Sequence, residues 1–205
     1  MSLTDLIADL KSSLQDAATV FDAPADADFI RHLNQAALDM GRVRPRTLVG
    51  ELALVAAQPN YPAPADLLRP KFPLWGMAER QQRRPWDKAW PGPAPRLSLV
   101  DTGSGRELWL DPAPTEAQIS LLGARYRFYY FATHQIDVDA SKTTVLPGDR
   151  GLLLLRAQAE AMLEMAMRNI KKPVQLRDGS NSAPKNGTPA ALASWLLEAF
   201  ARQAA

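Results

Sequence analysis

The chain has 205 residues, 46% of them apolar, which is normal for a soluble globular domain and enough for one substantial core. It contains no cysteine, so a disulfide framework, a thiolate zinc site and a cysteine nucleophile are all excluded. The net charge of +2 is small but uneven: Arg69 to Arg96 holds seven basic and two acidic residues, a local balance of +5 that leaves about −3 for the rest.

No apolar run approaches the ~20 residues of a membrane span, and the start lacks a leader pattern, so a soluble, unexported protein with no membrane partner is expected. Ser2 to Val20 reads as an amphipathic helix, with Ser2 and Asp5 approximating a capping box ahead of the stripe Leu3, Leu6, Ile7, Leu10, Leu14 and Ala17. Asp26 is the expected cap of a second helix that turns Phe29, Leu33, Ala36, Ala37 and Met40 inward and stops at Gly41. The two helices should pack as an antiparallel pair. Arg42, Arg44 and Arg46 around Pro45 read as a solvated connector rather than a partner contact.

From Thr47 the pattern changes to TLVGELALVAA, a strand. Pro59, Pro62 and Pro64 then impose an extended loop, since proline donates no ladder hydrogen bond. Lys71 to Arg96 combines Trp75, Trp86 and Trp90 with the basic cluster and five prolines, has no clear period, and reads as a long arm. Leu97 to Leu110 is a β-hairpin around Thr102-Gly-Ser-Gly105. Gln118 to Ala132 reads as one strand with Tyr126, Phe128 and Tyr130 on one face and Arg125, Arg127 and Tyr129 on the other.

Gly148 to Lys172 is a helix with too much apolar circumference for one contact. Asp149 is its expected cap and Pro173 its stop. The principal stripe is Leu152, Leu155, Ala159, Met162, Ala166 and Ile170, and a second row is Leu154, Ala157, Ala161 and Met165. Such a helix is either central to a core or faces another subunit. Residues 173–187 are rich in Gly, Ser, Asn and Pro and read as a flexible linker. The last helix begins with Thr188 as cap and Pro189 at its first position, and carries Leu192, Trp195, Leu196, Ala199 and Phe200 on one stripe. That stripe could dock on its own domain or be carried to a neighbour.

The fold class expected is α+β, mainly α: a helical bundle with an inserted hairpin or small antiparallel sheet and a long Pro/Trp-rich loop. Residues 1–172 form the main domain with a 69–96 excursion, followed by the linker and the 188–205 helix. Catalytic chemistry finds no positive support. His32 and His134 have no partner at metal-ligand spacing, Gly103-Ser104-Gly105 is a turn rather than a nucleophile elbow, and the Gly/Ser-rich segment lacks the lysine-serine/threonine ending of a phosphate loop. Asp137 and Asp139 form only a short acidic loop. No catalytic residue, cofactor or metal is expected.

The arm brings Arg80, Arg83, Arg84 and Lys88 together with Trp86 and Trp90. These residue types anchor protein interfaces, and they also meet phosphates and stack on bases. Protein contact, a solvated loop with its tryptophans folded back, and nucleic-acid binding all remain open, in that order of preference.

Taken in order, the two N-terminal helices, Leu33 to Leu68, Leu110 to Ile136 and Thr143 to Ala166 resemble a tailed-bacteriophage head–tail adaptor, also called a connector or head-completion protein. The carriers are Tyr61-Pro-Ala-Pro-Ala-Asp66, similar to a tyrosine-proline-aspartate turn after a strand, and the TTVLPGD lead-in to an alanine-rich helix. The resemblance implies a non-enzymatic virion neck protein, made in the host cytoplasm. It would form a ring, commonly twelvefold, between the portal and a stopper or tail-completion protein, and continue the channel through which DNA passes. It would make Leu192, Trp195, Leu196, Ala199 and Phe200 the portal contact, and the Arg80 to Trp90 arm a tail-side or lateral contact. Leu154, Ala157, Ala161 and Met165 would lie at the subunit boundary. The alternative function is a nucleic-acid-binding accessory protein that uses the arm.

Overall fold

A computed structural model describes residues 1–88, 90–168, 174–176 and 185–204. It divides the chain into two compact units, a helical one made of Met1–Pro45 with Thr133–Ala205 and a β-rich one made of Arg46–Ala132. The α+β expectation holds, and the inserted hairpin or small antiparallel sheet is a pair of small antiparallel sheets with an apolar cluster of its own.

In the helical unit, α1 (Leu3–Leu14) starts at a complete capping box: the Asp5 amide donates to Ser2 Oγ and the Ser2 amide to the Asp5 carboxylate. A 3-10 turn at Gln15–Val20 follows. Helix α2 (Ala27–Val43) does not use Asp26 as its cap; Asp26 takes a left-handed φ of 58° and pairs with Lys11 at 2.5 Å. Nor does Gly41 stop it. Gly41 is buried within the helix, where an added Cβ would lie 3.4 Å from the His134 amide nitrogen, so it allows close approach of the Thr133–His134 backbone.

Helix α5 (Arg150–Met167) is the centre of this unit and packs against α1, against α2 and against the last helix, α6 (Pro189–Ala204). Its expected cap is not made, because the Asp149 carboxylate instead accepts from Arg44 Nη1 at 3.1 Å. Leu152, Leu153, Leu155, Ala157, Ala159, Ala161, Met162 and Met165 are all buried, which accounts for the wide apolar circumference: neighbours of the same unit cover it. Ile170 and the rest of that helix's expected end lie outside the described residues. Within the segment expected to be a linker, β7 (Val174–Leu176) pairs antiparallel with β8 (Lys185–Gly187).

The β-rich unit has two three-stranded antiparallel sheets. One has the order β1 (Arg46–Ala53), β6 (Arg125–Ala132), β3 (Leu67–Pro73); the other has β2 (Asn60–Pro62), β5 (Gly105–Asp111), β4 (Arg96–Thr102). The hairpin β4–β5 is where the glycine turn was expected, closing Thr102 against Gly105. Tyr126, Phe128 and Tyr130 point inward as the alternation required and form an aromatic row with centroids 6.2 and 5.8 Å apart. Gly50 sits opposite Phe128, and a Cβ there would stand 2.5 Å from the ring, so only glycine lets the phenylalanine lie over β1.

The single strand expected at Gln118–Ala132 is corrected. Its first part is a helix, α4 (Glu116–Leu122), started by a capping box between Thr115 and Gln118 and ended by Gly123 at φ 87°. The Thr-x-x-Gln spacing is a helix-start signal that outweighs a short apolar run of ambiguous period.

Candidate functional site

Three groups of side chains carried the sequence expectations, and the fold treats them differently. The α6 stripe is inside: Leu192, Leu196, Ala199 and Phe200 belong to the same apolar cluster as α5, and only Trp195 is partly exposed. The helix starts with the Ala191 amide donating to Thr188 Oγ1. At its other end Arg44 donates from Nε to the Ala204 carbonyl at 3.1 Å and from Nη2 to the Gln203 carbonyl at 2.7 Å. A guanidinium on the last carbonyls satisfies acceptors that the helix leaves open and suits its negative end. Arg44 therefore pins the C-terminal helix, which corrects the reading of the arginine triplet as a merely solvated connector. Of the two alternatives left open for the stripe, docking on its own domain is the one observed.

The second row on α5 is equally enclosed. Ala157, Ala161 and Met165 are buried in the unit's own core and Leu154 is partly buried against it, so three of these four side chains offer no surface to a neighbour.

The arm is shorter and better anchored than its composition suggests. Residues up to Pro73 belong to β3, and Trp75 is buried, its Nε1 donating to the Gly123 carbonyl at 2.8 Å. At the returning end, Gln118 Nε2 donates to the Pro91 carbonyl at 2.9 Å and the Tyr126 hydroxyl to the Pro95 carbonyl at 3.3 Å. Burial raises the Tyr126 phenol to about 12, against the opposing charge of Arg80, so it stays a neutral donor.

Between these anchors, Arg80 lies in the short helix α3 (Met77–Gln81) with its guanidinium 5.8 Å above the Trp75 ring. Burial also lowers its pKa. Its Nε and Nη2 are buried without a hydrogen-bond partner among the described residues, so Arg80 looks inward. The segment that reaches solvent is a turn at Arg84–Asp87, closed by the Asp87 carboxylate accepting from the Arg84 amide at 2.7 Å. Trp86 is 78% exposed there with the Arg84 guanidinium 5.9 Å from its ring, and Lys88 is exposed beside it. Arg83 and Trp90 are half-buried.

The similarity motif Tyr61 to Asp66 has a structural role. The Tyr61 hydroxyl accepts from the Val55 amide at 3.0 Å and donates to the Gln58 carbonyl at 3.1 Å, which closes the loop after β1. The Tyr130 hydroxyl donates to Asp66 at 3.1 Å; burial and that carboxylate both raise the Tyr130 pKa.

Two further features take their shape from the tertiary structure. The first is a charged node between α2 and α5. Glu164 accepts from Arg31 at 2.6 Å and from His32 Nε2 at 2.8 Å, and also from Arg168. Burial pushes the Glu164 carboxyl up, but the hydrogen bonds from His32 and Arg31 together with the Arg31 charge outweigh it and hold the group at about 2. An acid held ionised by the His32 imidazole and the Arg31 guanidinium accepts protons poorly, so the node is suited to tying helices together rather than to general acid or base work.

The second is the outward face of the sheet β1–β6–β3. Arg125, Arg127, Tyr129 and Phe131 alternate along β6, with Val49 opposite Tyr129 on β1 and Phe72 opposite it on β3. Val49, Tyr129 and Phe72 are 47%, 37% and 51% exposed, an open apolar row across three strands. Arg69 and Lys71 both lie over the Phe131 ring, at 4.9 and 4.8 Å. The alternation of β6 was legible, but no sequence signal told which strands flank it.

Among the described residues no cluster of His, Asp and Glu could hold a metal ion, and no helix is long and apolar enough to cross a membrane. None of the curated proteins compared with the chain matches it. Residues 1–199 match the model of the SU10 adaptor protein family, a phage head–tail adaptor family, and that match spans both units. A match over nearly the whole chain places it in the SU10 adaptor protein family, as a structural phage protein.

Proposed function

We propose that the chain builds a ring in the virion neck, between the portal and a stopper or tail-completion protein, and continues the channel through which DNA passes. The observation that carries this reading is the family match over residues 1–199. The ring is formed by copies of this chain, commonly twelve in such neck rings.

The arm's exposed turn is the tail-side or lateral contact, narrowed to Arg84, Trp86 and Lys88. An exposed tryptophan stacked by an arginine is the kind of anchor that interfaces use. The α6 stripe is less suited to a portal contact than its spacing suggested, because Leu192, Leu196, Ala199 and Phe200 fill the helical core. Portal contact therefore falls to surfaces that remain open in the folded unit. The nucleic-acid reading of the arm is weaker than its composition implied, since Trp75 is buried and Arg80 lies on it.

The test is cryo-electron microscopy of purified particles of the phage that encodes the chain. Density for this fold is expected as a ring below the portal. Particles whose neck is complete without it would overturn the proposal.

A further inference from the structure

The expected subunit boundary on α5 is enclosed, so a ring needs another face, and the outward face of the sheet β1–β6–β3 has the properties of one. Its centre is the apolar row Val49, Tyr129 and Phe72. Around that row stand Arg69, Lys71, Arg125 and Arg127, with Glu51 as the acidic residue among them. Glu51 meets Arg125 and Arg127 only at 3.8 and 4.0 Å, and Arg69 and Lys71 face the Phe131 ring with no carboxylate partner among the described residues. An apolar centre with a charged rim is the anatomy of a protein interface. Base stacking fits less well, because two cations already cover the Phe131 ring.

The occupant follows from charge. Residues 46–132 hold eleven basic and eight acidic residues, a balance of +3, which leaves −1 for the helical unit. The first thirty residues of that unit contain six aspartates and one lysine. Asp9, Asp26 and Asp28 are matched by Arg150, Lys11 and Arg31. Asp16 and Asp22, at either end of the 3-10 turn after α1, are exposed and have no cation partner among the described residues; β7 packs on the same turn, and Arg168, which lies over the Phe21 ring and donates to the Val20 carbonyl, is balanced by Glu164. Two copies of the cationic sheet would repel each other face to face, so the complementary contact runs head to tail. A head-to-tail contact is heterologous, and it closes into a ring if the rotation allows.

We infer that the β1–β6–β3 face of one copy docks on the Asp16–Asp22 end of the helical unit of the next copy, an inference that rests on the ring proposed above. The cysteine-free chain permits a direct test that leaves every charge in place. Val49→Cys and Thr19→Cys chains, oxidised separately and as an equimolar mixture, should give a covalent dimer in the mixture and only background when alone. A Val49→Cys homodimer as abundant as the mixed one would overturn the inference, because it means face-to-face pairing.

Charge reversal gives a second reading. Arg125→Glu/Arg127→Glu and Asp16→Lys/Asp22→Lys should each lose self-association, and mixing the two should restore it, since alternating copies then match at every boundary. Assembly of either variant alone at the wild-type level would overturn the contact. So would a salt-dependent oligonucleotide complex abolished by Arg125→Glu/Arg127→Glu while self-association is unaffected. A neck ring seen in particles together with no mixed cross-link would sink this contact and leave the ring standing. Absence of the chain from particle necks would remove the ring itself.

Discussion

The helical unit and the β-rich unit put their most conspicuous residues to opposite uses. In the helical unit the residues that looked like contact surfaces, Leu192, Leu196 and Phe200 on α6 and Ala157 and Ala161 on α5, are spent on the unit's own core. In the β-rich unit an arm and an open sheet keep aromatic and cationic side chains in solvent: Trp86, Phe72, Tyr129, Arg125 and Arg127. A four-helix packing in which the central helix is apolar nearly all round has no surplus face to offer. A three-stranded sheet covered on one side has a second face by construction.

The largest effect should come from breaking the helical core. Leu196 is fully buried against α5, and Leu196→Ala should cost about 2–5 kcal/mol, the range for a deleted core leucine. Deleting Thr188–Ala205 should leave an unfolded or aggregating helical unit. Both are read by thermal unfolding followed by far-ultraviolet circular dichroism. A truncated chain that melts like the wild type would return α6 to the role of a free tether.

Next in size is Gly50→Ala in the β-rich unit. The new methyl would collide with the Phe128 ring, and overpacking of that kind costs about 1–3 kcal/mol. Near-ultraviolet circular dichroism should report it through the disturbed row of Tyr126, Phe128 and Tyr130. An unchanged aromatic signal and melting point would mean that the ring moves aside freely.

The Glu164 node should make the helical unit pH-sensitive in a predictable direction. Its folded pKa of about 2 lies below the ordinary 4.5, so its contribution is fully present above pH 4.5 and is lost as pH falls from there towards 2. Unfolding curves across that window should be flatter for Glu164→Gln than for the wild type. An identical slope in the two proteins would show that the node does not couple to folding.

The smallest effect on stability is expected at the arm's tip. Arg84→Ala and Trp86→Ala remove exposed side chains and should shift stability by no more than about 0.5 kcal/mol, while weakening attachment in a particle-assembly assay. A large loss of stability would mean that the tip is part of the fold rather than a contact.

Much was written locally. The box at Ser2 and Asp5, the Pro189 start of α6, the glycine turn between β4 and β5 and the inward row Tyr126, Phe128, Tyr130 all depend on residues within a few positions of one another, where spacing and capping chemistry suffice. Tertiary structure alone decided the rest. Nothing near Arg44 in the chain announces that it will bind the carbonyls of Gln203 and Ala204, and nothing near Trp75 announces the Gly123 carbonyl. Asp149 had the position and chemistry of a cap and was drawn instead to Arg44. An apolar stripe states that a face must be covered but not by what, because burial is indifferent to whether the covering side chains come from the same copy or the next. For α5 and α6 the folded unit supplied that cover itself.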